Sequence, residues 1–149
     1  ERLVGSAADD RAFRPVLVND VAGVAWGPGG SLWFRQGTAV RVVAPQRPVR
    51  VAASGLAAEN FGIAVGRTGK LYVAEAANRR ILAVSPTGQR TIVARSEAPW
   101  GPTGVALGNG ALYLLESTDY RRGTPLRMRV RRLVPGRGAT VLARVTVPD

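Results

Sequence analysis

The chain has 149 residues, with 21 Lys plus Arg against 10 Asp plus Glu, a formal charge of +11, and neither cysteine nor histidine. That composition excludes disulfides, thiol nucleophiles, histidine-based zinc sites and a Ser-His-Asp triad, and leaves carboxylates as the ordinary acid–base groups. No stretch approaches the roughly 20 apolar residues of a membrane span, and the length suits one domain.

From the N-terminus, Arg2-Leu3-Val4-Gly5-Ser6 reads as a lone strand and Ala7 to Asp20 as a long connection. Short apolar runs then recur between turn residues, in three sets. The first holds Gly23 to Trp26, a tight turn at Gly27 to Gly30, Leu32 to Phe34, the run ending at Pro45 and the run starting at Arg50. The second is the sharpest, with Gly62 to Val65, Leu71 to Val73, Ile81 to Val84 and Ile92 to Ala94. Its runs are parted by Gly66 to Gly69, Ala76 to Asn78 and Pro86 to Gly88, residues that supply positive φ or fix a turn. The third holds Gly104 to Leu107, Leu112 to Leu114, the run ending at Pro135 and the run starting at Thr140. Ser96 to Thr103 reads as its entry loop and Ser117 to Arg129 as an insertion between its second and third strands.

Each set is four short strands joined by hairpins, hence an antiparallel meander. The step from Gly23 to Gly62 to Gly104 matches the period of about 40 to 45 residues expected for propeller blades. The predicted fold is therefore all-β, a β-propeller segment of three four-stranded antiparallel blades. The blades cover residues 21–55, 56–97 and 98–149, and residues 1–20 supply the last strand of a preceding blade plus a loop. Three blades are half of a six-bladed ring and leave strand edges uncovered at both ends. Another copy of the chain, a second polypeptide or further sequence is expected to complete the ring.

The runs GIAVGRTGKLYVAEAANRRILAVSPTG and GVALGNGALYLLES resemble NHL-type blades, most closely in the middle one, where Asn78, Arg80 and Ile81 stand in the motif positions. The first blade departs from it, with Gln36 where the middle one has Glu75. The resemblance extends to six-bladed propellers that include scaffolds, sensor ectodomains, RNA-binding modules and relatives similar to gluconolactonase or strictosidine synthase. It implies the fold, leaves the function open and inclines toward an extracytoplasmic setting. In gluconolactonase-like relatives, carboxylate and Asn side chains near the channel hold a divalent cation. Here that resemblance would carry the role to Glu75, Glu116 and Asn60, oxygen ligands that suit Ca²⁺ or Mg²⁺. The reading set beside it makes Glu75 and Glu116 structural, paired with arginines such as Arg80 and with backbone N–H groups.

In a meander, the loops that enter first strands and those that join second to third strands emerge on one side. Binding groups collect on loops held by a rigid scaffold, so this loop-rich face is the candidate working surface. Its candidate binding residues are Glu59, Asn60, Glu75, Trp100, Glu116, Asp119, Tyr120, Arg121 and Arg122. Trp100 and Tyr120 are read as loop aromatics able to stack on a ligand. Arg121 and Arg122, with Arg127 and Arg129, form the densest basic cluster. Arg41, Arg131 and Arg132 are expected on solvated faces by strand alternation, whereas Trp33, Tyr72 and Tyr113 are expected to pack between blades. The function expected is a non-catalytic binding or scaffold module that recognises a protein, peptide or small ligand, with no cofactor. The alternatives are a metal-assisted lactonase or hydrolase, and RNA or polyanion binding suited to the positive charge. The acids around the arginine cluster weigh against a phosphate chain.

Overall fold

The computed structural model describes residues 21–57, 60–118 and 125–147, and all side chains in them except those of residues 60 and 61. The lone strand expected at Arg2 to Ser6 and the connection after it lie outside the described residues. The first blade consists of β1 (Val21–Trp26), β2 (Leu32–Gln36), β3 (Ala39–Val43) and β4 (Arg50–Ala53). The second consists of β5 (Asn60–Val65), β6 (Leu71–Glu75), β7 (Arg80–Val84) and β8 (Arg90–Arg95). The third consists of β9 (Trp100–Gly108), β10 (Ala111–Thr118), β11 (Leu126–Val134) and β12 (Gly138–Val147). Each blade is one antiparallel sheet with its strands in chain order, so the chain is a β-propeller segment of three blades.

The repeat extends to its irregularities. In every blade the pairing of the third and fourth strands breaks at one equivalent place, at Val40/Arg41, Ile81/Leu82 and Val130/Arg131. A bulge there re-aims the extra residue of the fourth strand, which is Ala52, Val93 or Leu142. Ala52 and Val93 turn onto the apolar clusters that fill the gaps between blades. The first cluster joins Trp33, Val40 and Val42 of the first blade to Ile63, Leu71, Val73, Leu82 and Val84 of the second. The second joins Ala74 and Ile81 to Leu112 and Leu114, with Tyr72 packed against it. Pleat alternation explains why one sheet serves both: Leu71 and Val73 point to the blade before, Tyr72 and Ala74 to the blade after.

The first strands of the blades lie innermost, packed against one another. There a Cβ added to Gly62 would lie 2.7 Å from the Cα of Gly104. These register-equivalent glycines bring two backbones together where no side chain fits.

The two end faces lack such partners among the described residues. Val24 is 64% exposed, while its equivalent Ile63 is 6% exposed against the first blade. Leu142 is 53% exposed, while Ala52 and Val93 are packed against the interblade clusters.

Two expectations are corrected. The segment Ser117 to Arg129 is not one inserted loop: Ser117 and Thr118 continue β10, and Leu126 to Arg129 already belong to β11. The hairpin is longer because its inward side chains find partners. Glu116 lies opposite Arg129, and the Thr118 hydroxyl accepts the Arg127 N–H at 3.1 Å. Likewise the entry loop ends early, since Trp100 opens β9 and pairs with Thr118.

Candidate functional site

Toward the loop-rich side, the second strand of each blade carries a register-equivalent acceptor: Gln36, Glu75 and Glu116. Strand pairing then decides what each acceptor meets. Glu75 lies opposite Arg80 and Glu116 opposite Arg129, so charge-assisted bonds form across the rungs.

Glu75 is buried. Its Oε2 accepts Arg80 Nε at 2.5 Å and Asn78 Nδ2 at 3.3 Å, and its Oε1 accepts the Ala57 N–H at 2.9 Å. Ala57 belongs to the connection from the first blade, so this carboxylate staples one blade to the next. Burial works to raise its pKa, but the Ala57 N–H, the Arg80 guanidinium and the Asn78 amide outweigh it and hold the carboxyl below its ordinary value.

Glu116 is enclosed more completely, at 0% exposure. Its Oε2 accepts Arg129 Nε at 2.5 Å and its Oε1 accepts Arg131 Nη1 at 2.9 Å, together with the hydroxyl of Ser96 in the connection from the second blade. Arg131 also donates to the Arg95 carbonyl at the end of β8, and Arg129 lies 4.3 Å from the centroid of the Trp100 ring. Trp100, Arg129, Glu116, Arg131 and Ser96 thus form one connected cluster. The first blade carries an uncharged version, in which the Gln36 carbonyl oxygen accepts Arg41 Nε.

The structure places the predicted residues unevenly. Glu75 and Glu116 are where the repeat puts them, and Arg80 is the partner of Glu75. Trp100 is not a loop aromatic: it stands in β9 with a guanidinium over its ring. Arg129 is not part of a free basic cluster, and Arg131 and Arg41 are not merely solvated, because each is held by an acceptor on its own sheet. Asn60 pairs through its backbone with Glu75, while its side chain lies outside the described set. Glu59, Asp119, Tyr120, Arg121 and Arg122 lie outside the described residues. Sequence reasoning missed Ser96, Arg129 and Arg131 as partners of Glu116. The signal was the alternation Leu126-Arg127-Met128-Arg129-Val130-Arg131, which marks strand rather than insertion.

Each of these two carboxylates already accepts a guanidinium nitrogen at 2.5 Å, with which a cation would have to compete. Among the described residues no three acidic groups converge.

No protein-family model matches the chain, and no curated protein matches it. Solved structures do. A gluconolactonase from Xanthomonas campestris superposes with a TM-score of 0.68 at 17% identity, over 86% of this chain and 48% of that one. A streptogramin B lyase gives 0.57 at 14% identity, over 93% and 57%. A virginiamycin B lyase from Staphylococcus aureus gives 0.54 at 18% identity, over 82% and 55%. At these identities the likeness shows the β-propeller fold. The chain spans about half the length of the solved structures it matches.

Proposed function

We propose that this chain is half of a propeller that works as a non-catalytic binding or scaffold module, closed into a ring by further blades and presenting its loop-rich face to a ligand. The observation that supports this reading is the commitment of both inward carboxylates, Glu75 and Glu116, to arginine and to the connection from the preceding blade. Groups engaged in this way tie one blade to the connection from the blade before it. The exposure of Val24 and Leu142, against the burial or packing of their equivalents, supports completion by further blades.

The second reading is a metal-assisted lactonase or hydrolase, favoured by the gluconolactonase among the structural neighbours. It requires further cation ligands, since among the described residues no three acidic groups converge. RNA or polyanion binding finds less support, because Arg129 and Arg131 are both engaged by Glu116.

Thermal melts with chelator and with millimolar Ca²⁺ or Mg²⁺ separate the first two readings, since a ligand that binds only the native state raises its stability by mass action. The binding-module reading expects the same melting temperature in both. A metal-dependent rise moves the assignment to the lactonase-like reading, and its loss or survival in Glu75→Gln and Glu116→Gln tells whether those carboxylates take part.

A further inference from the structure

On the side opposite the loop-rich face, the hairpin turns of the first two blades come together at Pro28 and Gly69 around an opening. They leave a cleft of about 700 Å³, within the roughly 300–1,000 Å³ range of small-molecule sites. Its floor is apolar, made of Trp33, Val42, Leu71 and Val84 at the end of the first interblade cluster. Prolines form much of its rim: Pro28, Pro45, Pro48 and Pro86. Proline has no N–H and a fixed φ, so these four preorganise the rim, while the Thr68 and Ser85 side chains and two arginines supply its polar groups.

The charged groups at the cleft are of one sign. Arg47 and Arg50 line it, and no Asp or Glu does. Neither arginine has a carboxylate within ion-pair distance among the described residues. Arg50 is also positioned, its guanidinium carbon lying 5.9 Å from the centroid of the Trp33 ring. The indole is fixed in turn, with Trp33 Nε1 donating to Ser31 Oγ at 3.0 Å and Ser31 Oγ donating to the Pro28 carbonyl at 2.7 Å. Gly27 makes room for this arrangement, since a Cβ there would come within 2.2 Å of the indole nitrogen.

We infer that this cleft binds a small organic anion with a flat apolar body, an aromatic carboxylate in chemical class. The apolar floor suits a flat apolar body, because polar groups laid against it would leave their hydrogen bonds unmade. The unpaired guanidinium groups at one side supply the planar, two-donor geometry that a carboxylate takes. Trp33, only 6% exposed, forms part of the apolar floor on which the ligand ring would rest. This site is separate from the carboxylate staples and does not rest on the reading given for the loop-rich face.

The test uses 2-naphthoate and its uncharged analogue 2-naphthamide, titrated into the full chain by calorimetry, with the Trp33 indole N–H followed by NMR. Saturable binding of naphthoate is expected, about tenfold or more tighter than naphthamide, with a shift of the Trp33 signal. Arg50→Gln should weaken naphthoate by about tenfold and Arg47→Gln by less, while the exposed Arg137→Gln, in the turn between β11 and β12, should leave it unchanged. Arg47 and Arg50 are exposed, so both variants should retain the wild-type circular dichroism. Equal affinity for the two probes, unchanged binding in both cleft variants, or no saturable binding at millimolar probe would overturn the inference.

Discussion

Replacing Glu116 by Gln keeps the shape of the side chain and removes its charge at the most enclosed ion-pair site described here. The Arg129 and Arg131 side chains are only 12% and 18% exposed, so two largely buried guanidinium groups would lose their counter-charge. The amide would also turn an NH₂ group toward a donor. Breaking a buried pair costs about 3–5 kcal/mol, because the remaining charge is stranded. For a chain of this size that lowers the melting temperature by roughly 6 to 20 °C. Glu75→Gln leaves a single guanidinium, Arg80, whose side chain is 29% exposed and can turn to water. Its cost should stay nearer about 1–2 kcal/mol. Urea denaturation followed by tryptophan fluorescence measures both. The reasoning is refuted if Glu116→Gln costs less than Glu75→Gln, or if neither shifts the midpoint.

Other consequences follow from the same geometry. Gly62→Ala places a methyl group against Gly104 and should cost about 1–3 kcal/mol by overpacking; a denaturation midpoint equal to wild type would contradict the close approach at the axis. Glu75 makes the molecule acid-sensitive. Its folded pKa is depressed, so its stabilisation is fully present above the unfolded value of about 4.3 and is lost as pH falls through the lower folded value. Stability measured from neutral pH down to about 3 should therefore fall less steeply in Glu75→Gln than in wild type, and parallel curves would count against it.

Much of the fold was legible because each blade repeats its turn chemistry. Gly69 and Gly88 sit at positive φ where the middle hairpins turn, and the apolar triplets Leu71 to Val73 and Leu112 to Leu114 mark second strands. Glu75 was legible as a structural carboxylate because its partner Arg80 lies directly across the rung. The partners of Glu116 were not, since they depend on a hairpin longer than its equivalents. The alternation from Leu126 to Arg131 marks the strand but not the contact between Thr118 and Arg127 that extends its pairing. The cleft was invisible for a different reason. Pro28, Pro45, Pro48 and Pro86 read as turn residues one by one, and only the separation between two blades makes them the rim of a single space.

The central claim, that these three blades are part of a ring whose end faces require further blades, is tested most directly by the mass of the purified 149-residue chain in solution. Light scattering coupled to size exclusion should show a particle heavier than the single 15.7 kDa chain, reverting toward one chain when Val24→Arg and Leu142→Arg place charge on the two end faces. Both residues are exposed in the single chain, so the paired substitution should act on assembly with little effect on the blades themselves. A folded, monodisperse monomer of wild type at micromolar concentration would contradict the account.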